Sequence, residues 1–192
     1  MESPEAAPEK SGSRTITLVW MAPVLALALI LVYGWWTRPA PEPDLGPRVG
    51  ETLADFTLPD MSGEPVHLAG LRGKVVFINV WTTWCPPCIE EMPTIQRLHE
   101  QLSPKGLVVL AINMDALGRQ TVEPFLARRH LTFPILLDPE SRTERLYRTA
   151  GIPESFIVDK AGLLVEKFVG PRDWAHPEVI ALFERLLSAP HG

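Results

Sequence analysis

An α/β domain preceded by one transmembrane helix is the architecture this sequence predicts. Three observations carry it. From about residue 51 onward, runs rich in β-branched residues alternate with stretches of helical periodicity, which means a mixed sheet with helices on its faces. Ile16 to Trp36 contains no charged residue; at about 1.5 Å per residue, a helix of that length spans about 31 Å, close to the hydrocarbon core of a bilayer. The mean hydropathy of +0.07 is high for a chain in which 21% of residues are charged. Setting the uncharged run aside raises that fraction to about 24%, the ordinary figure for a globular domain.

Composition excludes several classes. The 192 residues suffice for one ordinary domain with something attached. A net charge of -5 leaves no basic excess to neutralise phosphates, so nucleic acid is not an expected partner. Two cysteines support neither a disulfide framework nor a four-cysteine zinc site.

Residues 1–15 form a short tail, expected in the cytoplasm. Residues 16–36 form the anchor, with the lipid bilayer as its partner. Trp20 lies near one end and Tyr33, Trp35 and Trp36 near the other, as in interfacial aromatic belts. Pro23 sits near the first turn, where its missing N–H costs least. A cleavable signal peptide would have a shorter apolar core and a small-residue cleavage site; this run ends in Tyr-Gly-Trp-Trp-Thr-Arg-Pro. Lys10 and Arg14 precede it and Arg38 and Arg48 follow, so basic residues do not orient it. Prolines at 39, 41, 43 and 47 make residues 37–50 a semi-rigid spacer. Residues 51–189 then form the soluble domain.

Within that domain, Asp55–Leu58 and Pro65–Leu68 alternate in polarity around Met-Ser-Gly-Glu and predict a small hairpin. Lys74–Trp81 is nearly continuous in apolar residues, like a strand buried on both faces. Pro86–Leu102 places Ile89, Met92, Ile95 and Leu98 at helical spacing, with a kink expected at Pro93. Leu107–Asn113 is a second buried strand. Val122–His130 predicts a helix, Phe133–Leu137 a short strand and Glu140–Thr149 a charged helix. Ser155–Asp159 and Leu163–Val169 form a hairpin about Lys160-Ala161-Gly162. Trp174–Leu187 is a final amphipathic helix.

Cys85 and Cys88 fall between the first long strand and the first helix of this domain. Free N–H groups and a partial positive charge at a helix N-terminus favour a thiolate, the reactive form of cysteine. The i, i+3 spacing lets the second sulfur resolve a mixed disulfide formed at the first. Pro86 and Pro87 between them are compatible with a helix start. The bland alternatives are weaker. A structural disulfide would close a tiny loop. A zinc half-site would need a further ligand pair, and the histidines at 67, 99, 130, 176 and 191 supply none. Attached c-type haem needs His directly after the second cysteine, where Ile89 stands. Two inert buried thiols remain the other bland alternative.

The segment Trp81-Thr82-Thr83-Trp84-Cys85-Pro86-Pro87-Cys88 resembles the active site of thioredoxin-like proteins. More narrowly, Val49 to Leu187 resembles the membrane-anchored TlpA/ResA/DsbE group. The opening hairpin, the Glu-Glu-x-Pro after Cys88, Gly151-Ile152-Pro153-Glu154-Ser155-Phe156-Ile157-Val158-Asp159 and Gly170-Pro171-Arg172-Asp173-Trp174 all contribute to the likeness. The resemblance implies a thioredoxin-like fold: a central mixed β-sheet flanked by helices, with an added N-terminal hairpin. It makes Pro153 a cis-proline facing the cysteines, and Ile152 an edge on which a client chain pairs as an added strand. It places Trp84, Pro86 and Pro87 on the client-binding side.

One departure matters. Thioredoxin carries a buried aspartate where this chain has Asn79, and an amide cannot take the resolving thiol's proton. Glu91, three residues beyond Cys88 on the same helix face, matches a glutamate of the ResA-like members and becomes the candidate for tuning the pair or relaying the proton. Asp115, Asp138 and Asp173 read as loop or capping residues, and Ser155 replaces a threonine common after the cis-proline.

What the resemblance implies about function is a protein-disulfide reductase in the bacterial inner membrane, single-pass, with its dithiol in the periplasm. Its partners are a disulfide-bearing client, as in cytochrome c or copper-site maturation, and a membrane electron donor that re-reduces the pair. No cofactor is implied. Two other functions stay open: a copper-delivery module of the same fold, which usually spaces its cysteines Cys-x3-Cys, and a thiol peroxidase, whose motif would want proline where Ile78 stands.

Overall fold

The structure, a computed structural model, describes residues 14–37 and 46–190, without the side chains of 14–22 and 25. The chain divides into two compact units at Pro43/Asp44. The first holds α1 (Arg14–Trp36), a helix of 23 residues with Pro23 inside it. Among the described residues no helix is long and apolar enough to cross a membrane. The expected anchor over 16–36 is thus not shown here. The expected cytoplasmic tail lies outside the described residues up to position 13, and most of the expected spacer, 38–45, lies outside them too.

The second unit contains β1 (Thr57–Pro59), β2 (Pro65–His67), β3 (Val75–Trp81), α2 (Pro86–Leu102), β4 (Leu107–Asn113), α3 (Arg119–Leu126), β5 (Ile135–Leu137), α4 (Arg142–Tyr147), β6 (Glu154–Val158), β7 (Leu164–Val169) and α5 (Pro177–Ser188). Five strands form one mixed sheet in the order β5-β4-β3-β6-β7. β3 pairs parallel with β4 and antiparallel with β6, and β4 pairs parallel with β5. β1 and β2 make a separate antiparallel hairpin.

β3 is central because its seven residues are all buried. Its side chains alternate between two cores. Phe77 and Trp81 face α2, α3 and α5, packing with Ile95, Leu98, Phe125 and Phe183. Val76, Ile78 and Val80 face the hairpin and α4, packing with Phe56, Leu58, Tyr147 and Phe156. The sequence predicts helices on the faces of the sheet; here α2, α3 and α5 cover one face, and the hairpin with α4 covers the other. The domain's hydrogen bonding begins within the expected spacer: Gly50 N donates to Leu164 O at 2.7 Å. Gly46 has φ +81, and a side chain there would run into the Tyr147 carbonyl.

Several element ends differ from the sequence expectation, and caps explain them. α3 covers 119–126 instead of 122–130, because Gly118 at φ 50 starts it early. α4 covers 142–147 instead of 140–149. Asp138 takes N–H bonds from Arg142 and Thr143 at its start, and Arg148 turns left-handed at its end. α5 starts at Pro177 instead of Trp174, where His176 accepts from Glu178 N. β5 is shorter than the expected 133–137, covering 135–137. α2 runs unbroken past Pro93.

Candidate active site

β3 ends at Trp81, residues 82–84 turn, and Cys85 becomes the N-cap of α2. Cys85 and Cys88 are joined in a disulfide with Cα atoms 5.3 Å apart. Cys88 N donates to Cys85 Sγ at 3.3 Å. That N–H, with the positive end of α2, is pre-aimed at a Cys85 thiolate once the bond is reduced. Cys88 is 1% exposed and Cys85 4%, while Trp84 beside them is 69% exposed. Pro86 is exposed and Pro87 half-buried at the first turn.

The Ile152–Pro153 bond is cis. Glu154 pairs with Val80, so Pro153 comes level with Trp81, at the same end of the sheet as Cys85. Ile152 is half-buried and packs against the core cluster that contains both cysteines. Pro153 O accepts from Gly170 N at 2.8 Å, which ties this loop to the end of β7.

Glu91 is buried, one helical turn beyond Cys88. Asn79 Nδ2 donates to its Oε1 at 2.7 Å. Trp174 Nε1 (2.9 Å) and Arg172 N (3.1 Å) donate to its Oε2. Asn79 Nδ2 also donates to Ser155 Oγ at 2.9 Å. Burial pushes the Glu91 carboxyl above the ordinary carboxylate range; the donors from Trp174, Asn79 and Arg172 pull it back only in part. Asn79 is thus not a lone replacement for an acid but the tether of one.

Asp115 is more than a loop residue. Its carboxylate accepts from Thr83 N (2.9 Å), Thr83 Oγ1 (3.0 Å) and Asn113 Nδ2 (2.6 Å), holding the turn that presents Trp84 and Cys85. Asp138 caps α4, as expected of a capping residue. Sequence reasoning missed Trp174 and Arg172 as partners of Glu91, and it missed Glu154, which is fully buried with Lys167 Nζ 3.0 Å from its Oε1. The Gly170–Trp174 segment contributes to the family likeness, yet nothing in its sequence points to a carboxylate some 80 positions away. Among the described residues no cluster of three or more His, Cys, Asp or Glu could hold a metal ion.

A dithiol at a helix N-terminus, a cis-proline edge beside it and a mixed five-stranded sheet define a thioredoxin-like redox protein. The AhpC/TSA family matches residues 49–167. A thiol-disulfide oxidoreductase ResA from Geobacillus kaustophilus (strain HTA426) is 38% identical over 122 residues, 64% of this chain and 70% of that protein. The thioredoxin-like protein YneN from Bacillus subtilis (strain 168) is 32% identical over 154 residues, 79% of this chain and 89% of that one. Among solved structures, one from Chlorobium tepidum, described as a thiol:disulfide interchange protein DsbE, superposes with a TM-score of 0.65 at 32% identity, covering 76% of this chain and 99% of that one. StoA from Bacillus subtilis gives 0.58 at 28% identity, covering 69% and 96%. The chain belongs to the AhpC/TSA family and, within it, to the thiol-disulfide oxidoreductases of thioredoxin-like fold.

Proposed function

We propose that this protein is a membrane-tethered reductant of client disulfides, working on the outer side of the bacterial inner membrane. One observation carries the chemistry: the Cys85–Cys88 pair caps α2 beside the cis Ile152–Pro153 edge. In the reduced protein, the Cys85 thiolate attacks one sulfur of the client disulfide. A Cys85–client bond forms and the other client sulfur leaves as a thiolate. Cys88 then gives up its proton and attacks Cys85 Sγ. The second client sulfur leaves, two electrons have passed to the client, and the pair ends as the disulfide seen here. Glu91 takes the Cys88 proton. Burial raises its carboxyl above the ordinary carboxylate range, which makes it a stronger base than an exposed carboxylate.

The tether rests on α1. Its described apolar side chains, Leu27 and Leu29 to Trp36 among them, are exposed, and a bilayer is the cover such a surface asks for. A periplasmic dithiol needs re-reduction, so a membrane electron donor is the second partner. Clients of cytochrome c or copper-site assembly fit a dedicated reductant in an otherwise oxidising space.

Trapping in the native host tests this. A Cys88→Ser chain should accumulate mixed disulfides through Cys85, and their partners identify the client. Equal trapping by Cys85→Ser would remove Cys85 from the role of nucleophile. Tight stoichiometric Cu(I) binding by the reduced protein without disulfide reduction would make it a copper-delivery module, and rapid peroxide consumption a thiol peroxidase.

A further inference from the structure

A cavity of about 250 Å³ lies between the active-site turn and α4, bounded by Thr82, Trp84, Met114, Glu144, Thr149 and Ile152. It joins the two elements assigned to client contact, Trp84 and Ile152, to a helix that the redox chemistry does not use. Its walls differ in character. Met114 and Ile152 are apolar and half-buried, Trp84 offers an exposed indole face, and Glu144 brings an exposed carboxylate. No ion pair of Glu144 is formed among the described residues, whereas Glu154 and Glu184 each sit against a lysine.

The α4 wall is built in advance. Asp138 accepts from Arg142 N, Thr143 N and Thr143 Oγ1, and Tyr147 Oη donates to Ala54 O at 2.7 Å. Ser141 (φ 50) and Arg148 (φ 48) hold left-handed backbone at its two ends, a conformation non-glycine residues adopt only where surroundings impose it. A preformed pocket loses little on binding.

We infer that this cavity is a specificity subsite for a lysine or arginine side chain of the client, next to the disulfide under attack. The inference rests on the reductase function proposed above. A client strand paired along Ile152 sends alternate side chains to opposite sides, so a neighbour of the attacked cysteine faces the cavity. The aliphatic stem lies against Met114 and Ile152, the cationic head meets the Trp84 indole, and Glu144 supplies the opposite charge.

Single-turnover reduction of synthetic disulfide peptides by the prereduced full chain, in detergent, tests it. The peptides differ only in the residue flanking the disulfide, lysine or glutamate. The lysine peptide should react about tenfold faster at low ionic strength. The difference should lie in the apparent Kd, not the limiting rate, and should shrink in high salt. Glu144→Gln should reduce the preference to about twofold, and Glu144→Lys should invert it. Glu144 makes its structural bonds through its backbone carbonyl, which accepts from Arg148 N and Thr149 N, so these variants keep α4. Equal rates for the two peptides, or a preference unchanged in both variants, would overturn the subsite while leaving the reductase intact. Failure to reduce either peptide, or a small dithiol-reducible disulfide, would overturn both.

Discussion

Two buried glutamates flank the central strand near the redox pair, on opposite faces of the sheet. Glu91 lies on the Asn79 face and is met by three neutral donors, from Asn79, Trp174 and the Arg172 backbone. Glu154 lies on the Val80 face, fully buried, with Lys167 Nζ 3.0 Å away and no well-aligned hydrogen bond to either oxygen among the described residues. Burial raises the Glu91 carboxyl, and these neutral donors lower it only in part. Glu154 instead faces a single full charge, the Lys167 ammonium, in a buried ion pair. Of the two, only Glu91 stands on α2 with the redox pair.

The sharpest way to break this contrast is to remove the lysine. Lys167→Met leaves Glu154 buried without its counter-charge and should cost about 3–5 kcal/mol in urea denaturation. The double variant Glu154→Leu, Lys167→Met should recover most of that loss, since apolar residues replace buried ion pairs at little cost. Reductase activity of the double variant should stay close to the parent. A large activity loss in a stable double variant would show that Glu154 has a part in the chemistry.

Glu91→Gln probes the other side. It should slow resolution of the mixed disulfide about 100-fold, the lower end of what a positioned base contributes. It also sets an amide N–H against donors that need an acceptor, a loss of about 1–3 kcal/mol. The pH dependence has a definite sign. A folded-state pKa raised above 4.5 means the Glu91 contribution to stability is fully present below that value. It is lost as pH rises from there through the raised value, because the unfolded chain ionises before the buried carboxyl does. Parent minus Glu91→Gln stability, followed by thermal unfolding against pH, should therefore fall with rising pH. A rise would reverse the assignment.

The same contrast explains what was legible in the sequence. β3, α2 and β4 were readable nearly to the residue, because long apolar runs leave one arrangement that buries them. α3, α4 and α5 were misplaced at their ends, where single side-chain or glycine caps such as Asp138, His176 and Gly118 decide the boundary. The cysteines were legible from their spacing, and the cis-proline from family resemblance. Glu91 was legible as a candidate, but its partners Arg172 and Trp174 lie more than 80 positions away. Lys167 was not legible at all as the mate of Glu154, because a charged residue in a strand gives no sign of whether its charge ends in water or against another charge.

Asp115→Ala tests whether the turn carrying Trp84 and Cys85 needs its strut. It strands Thr83 N–H and the Asn113 amide, a loss of about 1–3 kcal/mol. Reduction rates should fall for peptides that contact Trp84 more than for a small disulfide that does not. An equal fall for both would make Asp115 a stabilising residue only.

The smallest expected effect is the most specific. Asn79 spends both amide hydrogens, one on Glu91 Oε1 and one on Ser155 Oγ. Ser155 therefore fixes which end of the amide faces the carboxylate. Ser155→Ala should cost only about 1 kcal/mol, yet it frees the amide to turn its oxygen toward Glu91. That orientation is favourable only when Glu91 is protonated, so the carboxyl should rise further and the acidic limb of the pH–rate profile should move up. Ser155→Thr keeps an acceptor oxygen and should leave the profile in place. A downward shift in Ser155→Ala, or the same shift in both variants, would mean that Ser155 does not fix the orientation of the Asn79 amide against Glu91.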